Sequence, residues 1–207
     1  MVAEQIAGRG VGDARVLAAM REVPRHLFVA ERDRANAYLD APLGLDHGQT
    51  ISQPYIVALM TELARPRPTD RALEIGTGSG YQAAVLSRLV DRVFSVELIA
   101  PLADTARERL TALGYRNVTV RQGDGYLGWP DQAPFDIIIV TAAPDDIPPA
   151  LVSQLRPGGR LVIPIGPVGA VQDLVVVEKD QAGSLTKRSV IPVRFVPMVK
   201  KKTGPSG

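Results

Sequence analysis

The stretch Leu73-Glu74-Ile75-Gly76-Thr77-Gly78-Ser79-Gly80-Tyr81 restricts the fold of this chain more than any other. An apolar run ends in spaced glycines and passes at once into residues of helical character. That is the pattern of a strand, a tight turn and a helix start. A second apolar run, over 92–96, ends on the acidic Glu97. Two parallel strands joined by a crossover helix satisfy both runs and put Glu97 at the tip of the strand beside the turn. An acid in that place accepts the sugar hydroxyls of a nucleoside. The glycine spacing narrows the ligand further. Counted from Gly76, a G-x-G-x-x-G fingerprint needs glycine where this chain has Tyr81, and no Gly-Lys-Ser/Thr follows for a triphosphate. The loop reads G-x-G-x-G, which suits a nucleoside without phosphates, and S-adenosylmethionine leads the candidates.

The alternation continues downstream. Strands are expected over 71–75, 92–96, 118–121, 135–140 and 160–164, and helices over 80–89, 100–113 and 148–155. Strands alternating with helices imply an α/β fold, a doubly wound and mostly parallel sheet covered on both faces. The pattern then changes. Two β-rich runs over 173–179 and 186–195, joined by a turn containing Gly183, read as a hairpin and predict an antiparallel C-terminal edge. Upstream lies a helical extension. Asp13 caps a helix bearing Val16, Leu17 and Met20, and Pro24 stops it. The segment over 44–50 reads as a loop. Pro54 opens a helix carrying Ile56, Val57, Leu59, Met60 and Leu63, which Arg65-Pro66-Arg67-Pro68 ends.

Composition excludes several kinds of chemistry. With 207 residues, 45% apolar, the chain has the length of one domain and a sizeable core, and no apolar run is long enough to span a bilayer. Its N-terminus lacks the basic flank and apolar stretch of a signal peptide. Having no cysteine, it offers no disulfide or thiolate nucleophile and fits a reducing, cytoplasmic compartment. Its two histidines, His26 and His47, are too few for an ordinary catalytic zinc, so no metal is expected. The net charge of +2 owes much to Lys200-Lys201-Lys202, and aromatics are only 5%. A solvated tail explains this better than a nucleic-acid surface.

Ligands of such sheets bind beyond the carboxyl ends of the strands. Gly76, Thr77, Gly78, Ser79 and Gly80 bring backbone close to the ligand, with amides at the helix start that favour a carboxylate. Glu97 accepts the ribose hydroxyls. Asp124 and Gly125 follow the third strand, where Asp124 is placed to accept from an adenine amino group. Thr141-Ala142-Ala143 leave room for a substrate. Each has a plainer reading: turn glycines, a solvated acid, an Asx turn at Asp124. Their occurrence after successive strands favours the nucleoside site. The string Gly48-Gln49-Thr50-Ile51-Ser52-Gln53-Pro54 has a plain reading too, Ser52 or Thr50 as helix cap, but a cap does not account for all of it.

At this point the chain resembles the protein-L-isoaspartate O-methyltransferases over nearly its full length. The resemblance rests on Arg21-Glu-Val-Pro-Arg-His-Leu-Phe-Val29, Gly48-Gln-Thr-Ile-Ser-Gln-Pro54, the glycine loop, Gly123-Asp-Gly125, Pro134-Phe-Asp-Ile-Ile-Ile-Val-Thr-Ala-Ala143, Gln154-Leu-Arg-Pro-Gly-Gly159 and Arg194-Phe-Val-Pro197. The glycine loop is shared by many methyltransferases; the Thr-Ile-Ser-Gln-Pro and Arg-Phe-Val-Pro strings are far more specific. The resemblance implies methylation of the α-carboxylate of L-isoaspartyl residues in damaged proteins and peptides. S-adenosylmethionine would be the donor and S-adenosylhomocysteine the product. The ester closes spontaneously to a succinimide, which hydrolyses partly to aspartate. It further implies that Ser52 is the catalytic residue that orients the carboxylate. Thr50, Ile51 and Pro54 would line the substrate pocket, while Phe195 and Val196 hold the substrate backbone. The expected organisation is an N-terminal helical segment, 1–66, with the substrate-pocket motif, a Rossmann-like fold over 67–199 and a disordered tail over 200–207. A monomer is expected, with no nucleic-acid or membrane partner. A relative dedicated to one peptide aspartate is the alternative, and a nucleic-acid methyltransferase a weaker one, since Thr141-Ala-Ala-Pro lacks the Asn/Asp-Pro-Pro-aromatic string of amino-directed enzymes.

Overall fold

The computed structural model describes residues 1–200, so the expected disordered tail lies, from residue 201 on, outside the described residues. Helix α1 (Ala14–Glu22) opens on Asp13, whose carboxylate accepts from the Arg15 amide at 2.8 Å. The Arg15 side chain bonds the same carboxylate and holds its pKa below the usual range. Asp13→Ala removes this cap and is expected to lower stability by about 1 kcal/mol, read by urea denaturation. Two short 3-10 turns, Arg25–Leu27 and Glu31–Asn36, carry the chain onward.

The segment expected to be a loop turns out to be the tip of a ribbon. Strands β1 (Leu43–Gly44) and β2 (Thr50–Ile51) pair antiparallel around a 3-10 turn at Asp46–Gly48. Two residues per strand give no readable alternation, so the sequence offers no sign of it. Helix α2 (Pro54–Ala64) follows, with Pro54 in its first turn.

The sheet begins with β3 (Arg71–Ile75) and α3 (Tyr81–Ser87), then β4 (Arg92–Glu97), α4 (Ala100–Ala112), β5 (Val118–Gln122) and β6 (Phe135–Val140). It ends with α5 (Pro149–Gln154), β7 (Leu155–Ile165), β8 (Gln172–Lys179) and β9 (Leu185–Val193). The seven strands lie in the order β5-β4-β3-β6-β7-β8-β9. They are parallel from β5 to β7, with β8 antiparallel to both neighbours. The antiparallel edge is thus as expected. Strand β7 starts earlier than the expected 160, because Leu155 already pairs with Phe135 and a register shift absorbs Pro157-Gly158-Gly159.

Side-chain alternation divides the core between the two faces. Ala72, Val93, Ile137 and Val162 join the N-terminal helices in one cluster, and Leu73, Phe94, Ile138 and Leu161 join α5 in the other. Residues from Val2 to Ala64 share the first cluster with the sheet, so the N-terminal segment folds as part of one body. Helix α3 is buried at every position from Tyr81 to Ser87, because the sheet covers one side and the N-terminal segment the other. Among the described residues no helix is long and apolar enough to cross a membrane.

Candidate active site

Strand order reverses at β3, which lies between β4 and β6, and the glycine loop leaves its carboxyl end. Gly76 takes φ +93°, and a Cβ there would collide with the Thr141 hydroxyl oxygen. That oxygen lies 2.7 Å from the Gly76 carbonyl and ties the loop to the end of β6. The loop's amides differ from expectation. Those of Gly76, Gly78, Gly80 and Tyr81 donate to Val96, Glu97, Thr77 and Ser79 respectively. A ligand carboxylate therefore has the Thr77 and Ser79 amides, not the whole loop.

Glu97 sits at the tip of β4 with 6% of its surface exposed. Its Oε2 accepts from the Gly78 amide at 2.9 Å and its Oε1 from the Ile99 amide at 3.0 Å. Each carboxylate oxygen has a further lone pair, so the anchored group can still accept two hydroxyls. Glu97, Gly76, Gly78, Gly125, Thr50 and Val196 line one cavity beside the ends of β3 and β4. Thr77, Ser79, Ile51 and Ser52 line a smaller one that continues from Gly76 toward α2. These residues fit a phosphate-free nucleoside with a polar chain running under the loop.

Four expected residues line neither cavity: Gly80, Pro54, Asp124 and Phe195, the last of which lies on an outer groove instead. Gly80 opens α3 in a left-handed conformation and packs on Leu110. Pro54 is buried in the first turn of α2. Asp124 receives the Tyr126 amide at 2.9 Å, the Asx-turn geometry of its plainer reading. Gln49, Leu98 and Met198 also line the cavity beside the ends of β3 and β4, without having been expected there. They are ordinary loop and apolar residues with no motif to mark them.

Ser52 is half-buried and is shared by the inner cavity and an outer groove of about 440 Å³. The groove runs between Tyr55 and Ile56 on α2 and the Ile191 to Phe195 strand end, with Arg9 and Arg194 also on its walls. The cap reading of Ser52 fails. Gln53 is the N-cap of α2 and makes no side-chain cap, and the Tyr55 amide faces Asp40 Oδ1 at 3.4 Å. Asp40 also pairs with Arg9, whose guanidinium lies 3.6 Å over the Tyr55 ring. The C-terminal segment is held at the site by backbone. Ala143 donates to the Val196 carbonyl and Met198 to the Ala143 carbonyl, both at 2.8 Å. Phe195 donates to Gln172 Oε1 at 2.9 Å. The main-chain groups left there for a substrate include the Phe195 carbonyl and the Val196 amide.

The Arg21 to Val29 string also acquires a physical account. Arg25 is fully buried, donates through Nε to the Ala37 carbonyl at 2.8 Å, and lies 4.9 Å from the Tyr81 ring. Burial brings its pKa down to about 10. Phe28 packs edge-on against Tyr81 at 5.5 Å. Together they press the N-terminal segment onto the first residue of α3, immediately behind the glycine loop.

A mostly parallel sheet with a phosphate-free glycine loop, a ribose-type acid and an adjoining groove is the arrangement of a Rossmann-like nucleoside-cofactor methyltransferase. Comparison with known proteins gives the particular family. The family model described as protein-L-isoaspartate(D-aspartate) O-methyltransferase matches residues 1–203, and the chain belongs to that family. The protein-L-isoaspartate O-methyltransferase of Opitutus terrae is 55% identical over 202 residues, 98% of this chain and 86% of its own. That of Nitrosococcus oceani is 52% identical over 204 residues, 99% of this chain and 93% of its own. A solved protein-L-isoaspartate O-methyltransferase superposes with a TM-score of 0.85 at 31% identity, over 95% of this chain and 65% of that one. A Plasmodium falciparum structure, described as a protein-L-isoaspartate O-methyltransferase in complex with S-adenosyl-L-homocysteine, has a TM-score of 0.82 at 26% identity, covering 97% of each chain.

Proposed function

We propose that this protein transfers a methyl group from S-adenosylmethionine to the α-carboxylate of L-isoaspartyl residues in damaged proteins and peptides. The observation that carries the reading is the position of Ser52, between the glycine-loop cavity and the open groove. When bound, the donor supplies a methyl on a sulfonium, which a carboxylate oxygen attacks to leave the neutral thioether. The chain's own residues bind and align. Glu97 takes the ribose hydroxyls. The Ser52 hydroxyl donates to one carboxylate oxygen and turns the other toward the cavity. Ile51, 4% exposed, keeps that junction dry, and Thr50 lines it from the ribbon. The Phe195 carbonyl and Val196 amide hold the substrate backbone, a mode indifferent to neighbouring side chains, as repair of scattered lesions requires.

No general base is needed, because a carboxyl group with a pKa near 4 is already ionised at neutral pH. Proximity and exclusion of water supply the rate. The nascent ester then closes to the succinimide without further help from the protein. Methyl-labelled donor offered side by side with isoaspartyl peptide, aspartyl peptide and RNA tests the assignment. Base-labile label on the isoaspartyl peptide alone is expected. Equal label on the aspartyl peptide, or label on RNA, would overturn it.

A further inference from the structure

Glu74 is a fully buried acid that methyl transfer leaves unused. It stands on β3 beside Ser95 of β4 and Ile139 of β6, with no exposed surface. Its carboxyl is in short contact with the Ser95 hydroxyl, and Ser95 Oγ lies 2.5 Å from Thr77 Oγ1. Thr77 in turn lines the inner cavity. A relay of side chains thus runs from the core to the cofactor loop. The groups acting on the Glu74 carboxyl are Ser95 and Glu97 from β4 and the Ala83 amide from α3, with no Lys or Arg among them. Its Oε1 completes no hydrogen bond of good geometry. Burial first, and Glu97 after it, push the Glu74 pKa up to about 8 against the opposing hydrogen bond from Ser95.

Hydrogen-bond parity then fixes the direction of the relay. The Ala83 amide is a donor, so the hydrogen of the neutral acid has Ser95 Oγ as its acceptor. Ser95 must in turn give its hydrogen to Thr77, which leaves the Thr77 hydrogen for the cavity. In the ionised form every bond reverses: Ser95 donates to Glu74, Thr77 donates to Ser95, and Thr77 presents lone pairs to the cavity. We propose that Glu74 is a positioning residue that sets the polarity of the Thr77 hydroxyl, making it a donor to the anionic end of the cofactor when Glu74 is neutral and an acceptor when it is not. This rests on the S-adenosylmethionine reading above. It adds that the cofactor's amino-acid carboxylate meets the Thr77 hydroxyl.

The test is calorimetric binding of S-adenosylhomocysteine to the wild-type protein and to Glu74→Gln from pH 6.5 to 9.5. The side-chain amide of the variant donates to Ser95 through its nitrogen and turns its oxygen toward the Ala83 amide at every pH, so the variant keeps the neutral polarity. Titrations elsewhere, including that of the ligand's own ammonium, affect both proteins alike. The two affinities are expected to agree near pH 6.5. By pH 9.5 wild type should be about 10-fold weaker than the variant, the value of one hydrogen bond to a charged group. 5′-Methylthioadenosine, which has no carboxylate, should show no such divergence. S-Adenosylhomocysteine affinities that stay parallel across the range, or a variant tenfold weaker at pH 6.5, would overturn the relay while leaving the cofactor reading intact. Failure of S-adenosylhomocysteine to bind wild type at any pH would overturn the cofactor reading and the relay together. Infrared spectra of the free protein give a second measure. A carboxylic-acid carbonyl band at pH 6.5 that Glu74→Gln removes supports the proposal, and its absence contradicts it even if the variant fails to fold.

Discussion

Glu97→Gln is expected to weaken S-adenosylhomocysteine binding about 100-fold, with far less effect on turnover at saturating cofactor. The carboxylate is nearly buried and is oriented before any ligand arrives, by the Gly78 amide on one oxygen and the Ile99 amide on the other. A side-chain amide in its place would turn a donor against one of those backbone donors. It would also lose an acceptor for a ribose hydroxyl. Each hydrogen bond to a charged group is worth roughly 1.5–3 kcal/mol, so losing one or two of them accounts for the factor. Titration calorimetry reads it directly. A change below about fivefold would remove Glu97 from the ribose.

Ser52→Ala is expected to behave in the opposite way. Turnover of an isoaspartyl peptide should fall about 10–100-fold, the loss of one orienting hydrogen bond, while S-adenosylhomocysteine affinity stays within about twofold. Stability supplies the discriminating control. A helix cap would cost about 1 kcal/mol on removal, but Gln53, not Ser52, is the N-cap of α2, so the denaturation midpoint should not move. Loss of stability with full turnover would make Ser52 structural after all. The pair of variants therefore separates the site into a cofactor half, anchored at Glu97, and an acceptor half, anchored at Ser52.

Much of this was legible in the sequence, and the exceptions have physical causes. Strands β3 and β6 fall where the apolar runs put them, because both are buried on both faces and bounded by turn residues. The glycine loop and Glu97 converge as the βα pattern requires. The ribbon of β1 and β2 was invisible because its strands are too short to carry a period. The early start of β7 was hidden because Pro157-Gly158-Gly159 imitates a turn, while the register shift lets pairing begin at Leu155. Glu74 and Arg25 show a deeper limit. In a strand covered on both faces, alternation gives no sign that an acid is fully buried. A basic residue in a short 3-10 turn reads as surface until the Tyr81 ring is seen to cover it. Asp124 accepts from the Tyr126 amide, as the turn reading of Gly-Asp-Gly expects, and its neighbour Gly125 lines the cavity.

The measurement that bears most directly on the account is a crystal structure of the protein with S-adenosylhomocysteine and an isoaspartyl peptide. The ribose should lie on Glu97, the peptide backbone should bond the Phe195 carbonyl and Val196 amide, and the isoaspartyl α-carboxylate should accept from the Ser52 hydroxyl with its other oxygen facing the sulfur. A carboxylate held away from Ser52, or a peptide outside the groove between α2 and the end of β9, would contradict it.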